Sequence, residues 1–217
     1  IEYTYGNLGL QYTLGNLESR GRLELAYDYD EFRYQNCRAF TRDRDRDVDT
    51  YRGTFFYRVA SRTDALVELR YMEADFLSSP VNRPSFNSEE TTYLVGLRWD
   101  PTAKTYGTVK LGFYDREFDN GERPGADGFR WEVDVVWQPR SYSTLRVGTR
   151  QASFETNGEG SFVESRVNKV AWDHAWSGRD RTALSLEWGN DNFADAPRDD
   201  DWSLAEARYT RSLRRWL

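Results

Sequence analysis

The feature that most constrains this chain is a period of two in its hydropathy, repeated in segment after segment, with charge on the intervening positions. Leu23, Leu25, Tyr27 and Tyr29 alternate with Arg22, Glu24, Ala26, Asp28 and Asp30. Side chains along a strand point to opposite faces, so a strand here offers rings and aliphatics to one environment and ions to another. The pattern also runs through Leu8, Leu10, Tyr12 and Leu14, through Tyr51, Phe55, Tyr57 and Val59, and through Ala65, Val67, Leu69 and Tyr71. It continues in Tyr93, Val95, Leu97 and Trp99, then in Val109, Leu111 and Phe113, and is clearest in Phe129, Trp131, Val133, Val135 and Trp137. Weaker tracks lie at Leu145 and Val147, at Val170, Trp172 and Trp176, at Leu184, Leu186 and Trp188, and at Ala205, Ala207 and Tyr209.

These tracks predict about eleven strands of roughly ten to fourteen residues, longer than the five or six usual in soluble sheets. Tilted strands that cross a bilayer need about nine to eleven residues. The links alternate as well. Short, turn-like ones fall at Gly15 to Ser19, Ser61 to Asp64, Pro101 to Lys104, Pro139 to Ser141 and Ser177 to Asp180. Longer polar ones fall at Gln35 to Asp47, Leu77 to Ser88, Asp119 to Asp127, Thr156 to Ser161 and Ala194 to Asp200. Short and long links therefore sit on opposite rims, which predicts an all-β, antiparallel, up-and-down transmembrane β-barrel forming one domain over residues 1–217. Hydrocarbon leaves no backbone N–H or C=O unpaired, so such a sheet must close. An odd strand number and an ending at Arg214-Arg215-Trp216-Leu217 lead us to expect a fragment of a barrel of roughly 12 to 18 strands.

Composition removes other classes. No run of about 18 apolar residues exists, which excludes a transmembrane helix but not a barrel, whose strands need only every second residue apolar. The net charge of −6 is made of acids and bases mixed along the whole chain, unlike the basic face of a nucleic-acid binder. One cysteine, Cys37, and one histidine, His174, give no internal disulfide and no zinc cluster, and no cofactor is expected. The chain opens on the strand-like Ile1-Glu2-Tyr3-Thr4-Tyr5, without a leader pattern, as a mature or trimmed secreted chain would.

The apolar tracks could line the inside of a soluble sandwich or the outside of a membrane barrel. Across nearly all strands they carry no Lys, Arg, Asp or Glu in the stretch assigned to the bilayer, where a buried Arg or Lys costs about 2–4 kcal/mol. Ring placement decides for lipid. Trp99, Trp137 and Trp176 end tracks beside short turns, while Tyr71, Tyr93, Phe113, Phe118, Phe129, Trp131, Trp188 and Phe193 gather toward the long links. Two aromatic belts are the mark of two bilayer interfaces. The opposite face holds Arg22, Glu24, Asp28, Glu68, Arg70, Arg98, Lys110, Arg116, Arg130, Glu132, Asp134, Arg146, Arg150, Lys169, Asp173 and Glu187, the candidate wall of a water-filled or ion-paired lumen.

Three stretches carry a family resemblance: Ala103-Lys104-Thr105-Tyr106-Gly107-Thr108-Val109-Lys110-Leu111-Gly112-Phe113, Trp137-Gln138-Pro139-Arg140-Ser141-Tyr142-Ser143-Thr144, and the terminal Leu213-Arg214-Arg215-Trp216-Leu217. With them the chain resembles the outer-membrane β-barrel porin family often linked to exopolysaccharide or capsule biosynthesis and export operons. The resemblance implies a bacterial outer-membrane location, a role beside polysaccharide secretion, and no catalytic residue. The partners it implies are the lipid bilayer and a polysaccharide or small polar solute. It leaves the oligomeric state open.

His174 shares the parity of Trp172 and Trp176 near a short turn, where an interfacial polar ring is expected; a catalytic base would need a nucleophile on its own side of the sheet. Cys37 in a long link reads as an incidental thiol. The run Arg42-Asp43-Arg44-Asp45-Arg46-Asp47 reads as a solvated, self-neutralising loop before it reads as a ligand site. Carboxylates on the charged face are expected in salt-bridge networks, given the equal supply of Arg and Lys around them. The expected function is porin-like passage or export of polar solute. A structural or adhesive barrel is the second class, and a barrel enzyme acting on lipid or glycan the third.

Overall fold

The computed structural model describes residues 2–16, 19–78, 84–99, 104–119, 123–156 and 160–213. The terminal Arg214 to Leu217 and most of the Pro101 to Lys104 link lie outside them, as do parts of the links around residues 17, 80, 121 and 158. Eleven strands make up the fold: β1 (Tyr3–Leu14), β2 (Gly21–Tyr34), β3 (Arg46–Ala60), β4 (Thr63–Phe76), β5 (Ser88–Trp99), β6 (Thr105–Phe118), β7 (Ala126–Arg140), β8 (Ser143–Glu155), β9 (Phe162–Ala175), β10 (Asp180–Phe193) and β11 (Arg198–Arg211). Each pairs antiparallel with the next in one sheet. This is the all-β, up-and-down arrangement that the alternation predicts. β1 and β11 each have one partner, so the described sheet is open. Among the described residues no helix is long and apolar enough to cross a membrane.

The register aligns the apolar tracks into one band. Tyr12, Leu25, Gly53, Leu69, Tyr93, Phe113 and Phe129 stand opposite one another across β1 to β7. Val135, Val147, Val170, Leu186 and Ala205 continue it across β7 to β11. Burial is inverted with respect to a soluble sandwich: Val95 is 59% exposed and Phe113 65%, whereas Glu68 is 2% exposed and Arg116 is fully buried. An exposed side chain of this size forfeits about 1.5–3 kcal/mol in water. Roughly ten of them would outweigh a typical net stability of about 5–15 kcal/mol. The band therefore requires an apolar surrounding that the protein does not itself supply.

Two glycines let the charged face curl inward. A Cβ at Gly96 would lie 2.1 Å from the Val109 carbonyl oxygen, and one at Gly112 1.8 Å from that of Tyr93. Neither position accepts a side chain at this spacing, so the backbones of β5 and β6 bend closely over each other. The bend brings Arg70 on β4 within 2.9 Å of Glu132 on β7, three strands further along the sheet. The β7–β8 ladder runs only as far as Glu132↔Arg150. Above that pair the upper β8–β9 hairpin lies on the concave side of β5–β7, where Phe162 meets Phe118 with ring centroids 6.5 Å apart.

Three expectations need correction. The Arg42 to Asp47 run is not a solvated loop: a turn of helix, α1 (Arg38–Thr41), leads into a 3-10 turn at Arg42–Arg44, and β3 begins at Arg46. Asp45 is buried, accepting from the Tyr34 N–H at 2.8 Å and from Arg38 at 2.7 Å, while Arg46 stacks over Phe32. The Ala194 to Asp200 link is short, because β10 ends at Phe193 and β11 starts at Arg198. Phe118 and Phe193 are buried and do not join the exposed belt; Phe118 has the even parity of the concave face of β6.

Candidate functional site

The concave face is built from even positions of β2 to β7, which the alternation reserves for charge. At its centre Glu68, Arg70, Lys110 and Glu132 close a ring of alternating sign. Arg70 Nη2 donates to Glu68 Oε1 at 2.5 Å and to Glu132 Oε1 at 2.9 Å, and Lys110 Nζ to Glu68 Oε2 at 2.8 Å and Glu132 Oε2 at 3.0 Å. Thr54 Oγ1 donates a further bond to Glu68 Oε2 at 3.2 Å. Burial of unpaired charge costs several kcal/mol per ion, and the ring removes that cost by giving every charge two partners of opposite sign. The side chains come from β4, β6 and β7, and they meet over the place where Gly96 and Gly112 let the backbones of β5 and β6 approach closely.

A second cluster lies toward the long links. Arg130 Nη1 donates to Glu90 Oε1 at 2.5 Å and Thr92 Oγ1 at 3.0 Å, and its Nη2 to Ser153 Oγ at 2.5 Å. Arg116 donates to Ser88 Oγ at 2.8 Å and to Glu155, and lies 3.7 Å from Glu90 Oε2. Both guanidiniums face rings, Arg116 over Phe162 at 5.0 Å and Arg130 over Tyr114 at 4.4 Å. Arg116 Nε and Nη1 and Arg130 Nε are buried without a hydrogen-bond partner.

Toward the short turns, Arg22 pairs with Glu24 at 3.1 Å and Asp64 at 3.8 Å, and Arg58 also pairs with Asp64. Arg22 and Arg98 both stand over Phe56, at 4.3 and 5.5 Å. On β8 to β10 the pairs Arg146–Asp173 and Lys169–Glu187 lie on the same side but are far more open. Arg150, Asp134 and Asp28 share this parity and make no ion pair among the described residues. All sixteen candidate wall positions thus have a place on the charged side of the sheet. The structure joins Arg22 with Glu24, four in the ring, Arg146 with Asp173, and Lys169 with Glu187.

On the convex face, Trp137 and Trp176 are exposed and Trp99 is half-buried at the short-turn rim. Toward the other rim Tyr27, Tyr51 and Tyr71 form a ribbon with centroids 5.1 and 6.3 Å apart, and Phe113, Phe129 and Trp131 form another at 5.7 and 5.9 Å. Tyr93 and Trp188 are exposed in the same band. Just above it, Asp49, Glu73, Glu89 and Glu117 stand directly opposite one another across four strands. Like charges in register repel. Such a row is tenable in water with counter-ions and not in hydrocarbon, so it marks an upper limit for lipid. The chain's acidic excess thus has a conspicuous share outside, beyond the belt.

Sequence reasoning missed Glu90, Ser153, Glu155 and Glu164 as concave-face residues. Glu90 was findable, since it has the even parity of Arg98. Ser153 and Glu155 were not, because odd positions of β8 face outward at Thr149, where Trp131 Nε1 donates to the hydroxyl at 3.0 Å. They reach the inside only after the hairpin has left β7. His174 sits among Tyr142, Trp172 and Trp176, with centroids 5.3, 5.1 and 4.2 Å away. Cys37 is exposed, with a left-handed backbone at φ 56°. Among the described residues no group of three or more His, Cys, Asp or Glu is placed to hold a metal ion.

Residues 2–217 match the profile of a family described as "Putative beta-barrel porin 2". Among curated proteins no sequence matches. The fold is similar to that of the FrpB iron transporter from Neisseria meningitidis. The apoprotein form of its F5-1 variant is 12% identical with a TM-score of 0.55, the match covering 86% of this chain and 37% of that one. The F3-3 variant is 13% identical with a TM-score of 0.53, covering 86% and 36%. The chain therefore spans little more than a third of the length of the solved barrels it matches, and at these identities the likeness is one of fold.

Proposed function

The chain belongs to the β-barrel porin family whose profile spans it, and from that premise we propose that it lets polar solute pass across the bacterial outer membrane, without catalysis, as part of a single barrel domain. The observation that carries this reading is the inversion of burial. The rows of Leu, Val and Phe are exposed on the convex side, and the ion pairs are sheltered on the concave side. A surface of that kind suits acyl chains outside and hydrated, charged cargo inside. Arg22, Glu24, Asp28, Arg98, Asp134 and Arg150 are proposed to line the water path with the paired residues of the ring, and the tryptophans and tyrosines to hold the barrel at the two interfaces. A role beside exopolysaccharide secretion is the finer proposal. It rests on the sequence resemblance, and a hydrated, polar polymer is compatible with a mixed-charge wall.

Single-channel recording of the full-length protein in planar bilayers tests the reading. Discrete conductance steps in potassium chloride are the expected result. Intact, inserted protein that carries no current would overturn passage.

A further inference from the structure

Resting on that reading, we propose that Arg116 and Arg130 form a binding site for carboxylate-bearing solutes inside the barrel, and that Glu155 of the β8–β9 hairpin occupies it as an internal surrogate. Arg116 is fully buried and Arg130 is 3% exposed, yet Nε and Nη1 of the first and Nε of the second donate to nothing. Glu90 Oε2 and Glu155 Oε2 beside them accept nothing either, so donors and acceptors are mismatched in direction, and a planar carboxylate free to orient is the shape that satisfies such donors two at a time. The acceptor already present is itself a carboxylate, that of Glu155.

The hairpin that carries Glu155 has somewhere to go. β7 pairs with β6 as far down as Ala126, but with β8 only up to Glu132↔Arg150. The β8-facing edge of the upper third of β7 is therefore unpaired. Continuing the same register would set Arg130 opposite Ala152 and Gly128 opposite Phe154, turning the odd residues Ser153 and Glu155 to the convex side with Thr149 and Val147. Zipping the hairpin onto β7 withdraws Glu155 and Ser153 together. It leaves two guanidiniums against Glu90 alone, a local charge of +1 that one solute carboxylate neutralises. The gain of ladder hydrogen bonds offsets the lost ion pair, so solute binding and hairpin withdrawal are coupled. Tyr114, whose hydroxyl donates to Glu164 on the same hairpin, holds the inward state.

Isothermal titration of citrate into detergent-solubilised full-length protein tests this without relying on conductance, with sucrose as the uncharged control. Citrate should bind and sucrose should not. Arg116→Gln should weaken citrate by about tenfold or more, as loss of a charge-assisted pair does, and Glu155→Gln should tighten it several-fold by removing the competitor. A Tyr114→Cys, Glu164→Cys pair in a Cys37→Ser background, bridged by a bifunctional methanethiosulfonate long enough to replace the two lost side chains, locks the hairpin inward. It should abolish citrate binding until reduced, which keeps the test decisive even if Arg116→Gln fails to fold. Citrate affinity that is absent, or indifferent to Glu155→Gln and to the cross-link, overturns the proposal. Citrate binding by a protein that carries no current would instead count against passage and leave the site standing.

Discussion

The same alternation produces two different interiors. On β4 to β7 the ion pairs are packed: Glu68 is nearly inaccessible, and the ring closes over a bend that only glycines permit. On β8 to β10 the side chains of Arg146 and Lys169 are 53% and 55% exposed, although their pairs with Asp173 and Glu187 have the same chemistry. The difference teaches that charge patterning sets which face is ionic, whereas sheet curvature sets how much each pair contributes. A buried pair is costly to break because its survivor stays desolvated. An exposed pair is screened and nearly neutral.

The largest expected effect comes from breaking the packed side. Glu68→Ala should destabilise the lipid-refolded protein by about 3–5 kcal/mol, since it strands Arg70 and Lys110; guanidinium titration followed by tryptophan fluorescence measures it. Next, Val95→Arg on β5 and Leu186→Arg on β10 should each cost about 2–4 kcal/mol in the same assay, because the convex band is alike in both regions. A cost seen on β5 alone would mean that the contrast is not confined to the concave face. Gly112→Ala should cost about 1–3 kcal/mol through overpacking against the Tyr93 carbonyl. The smallest effect belongs to Asp173→Asn, under about 1 kcal/mol and vanishing at high salt. A larger, salt-independent loss there would erase the distinction between the two regions.

Much of this was legible in the sequence. Eleven strands could be read because each keeps its parity for its whole length in the band, as Phe129 to Trp137 does, and because Gly, Pro, Asn and Ser punctuate the short turns. The charged face could be read for the same reason. What could not be read depends on where strands go after they leave the ladder. Parity gives no hint that β8 departs from β7 above Arg150, and by itself it would point Glu155 outward. Nor does local pattern reveal that Asp45 and Arg46 are drawn in by Arg38, Tyr34 and Phe32, a contact made across the β2–β3 link. Gly96 and Gly112 were visible as residues, but their consequence, a curl tight enough to join β4 to β7, appears only in three dimensions.

The central claim is that the uncharged side of the sheet meets acyl chains while the ionic side meets water. Nitroxide labels placed singly at Val95, Leu111 and Leu186, and at Asp134 and Arg150, test it in lipid vesicles by collision with oxygen and with a water-soluble nickel chelate. The account predicts that the first three collide with oxygen and are shielded from nickel, and that the last two show the reverse. Equal nickel access at both sets, or apolar positions shielded from both reagents as in a buried core, would contradict it.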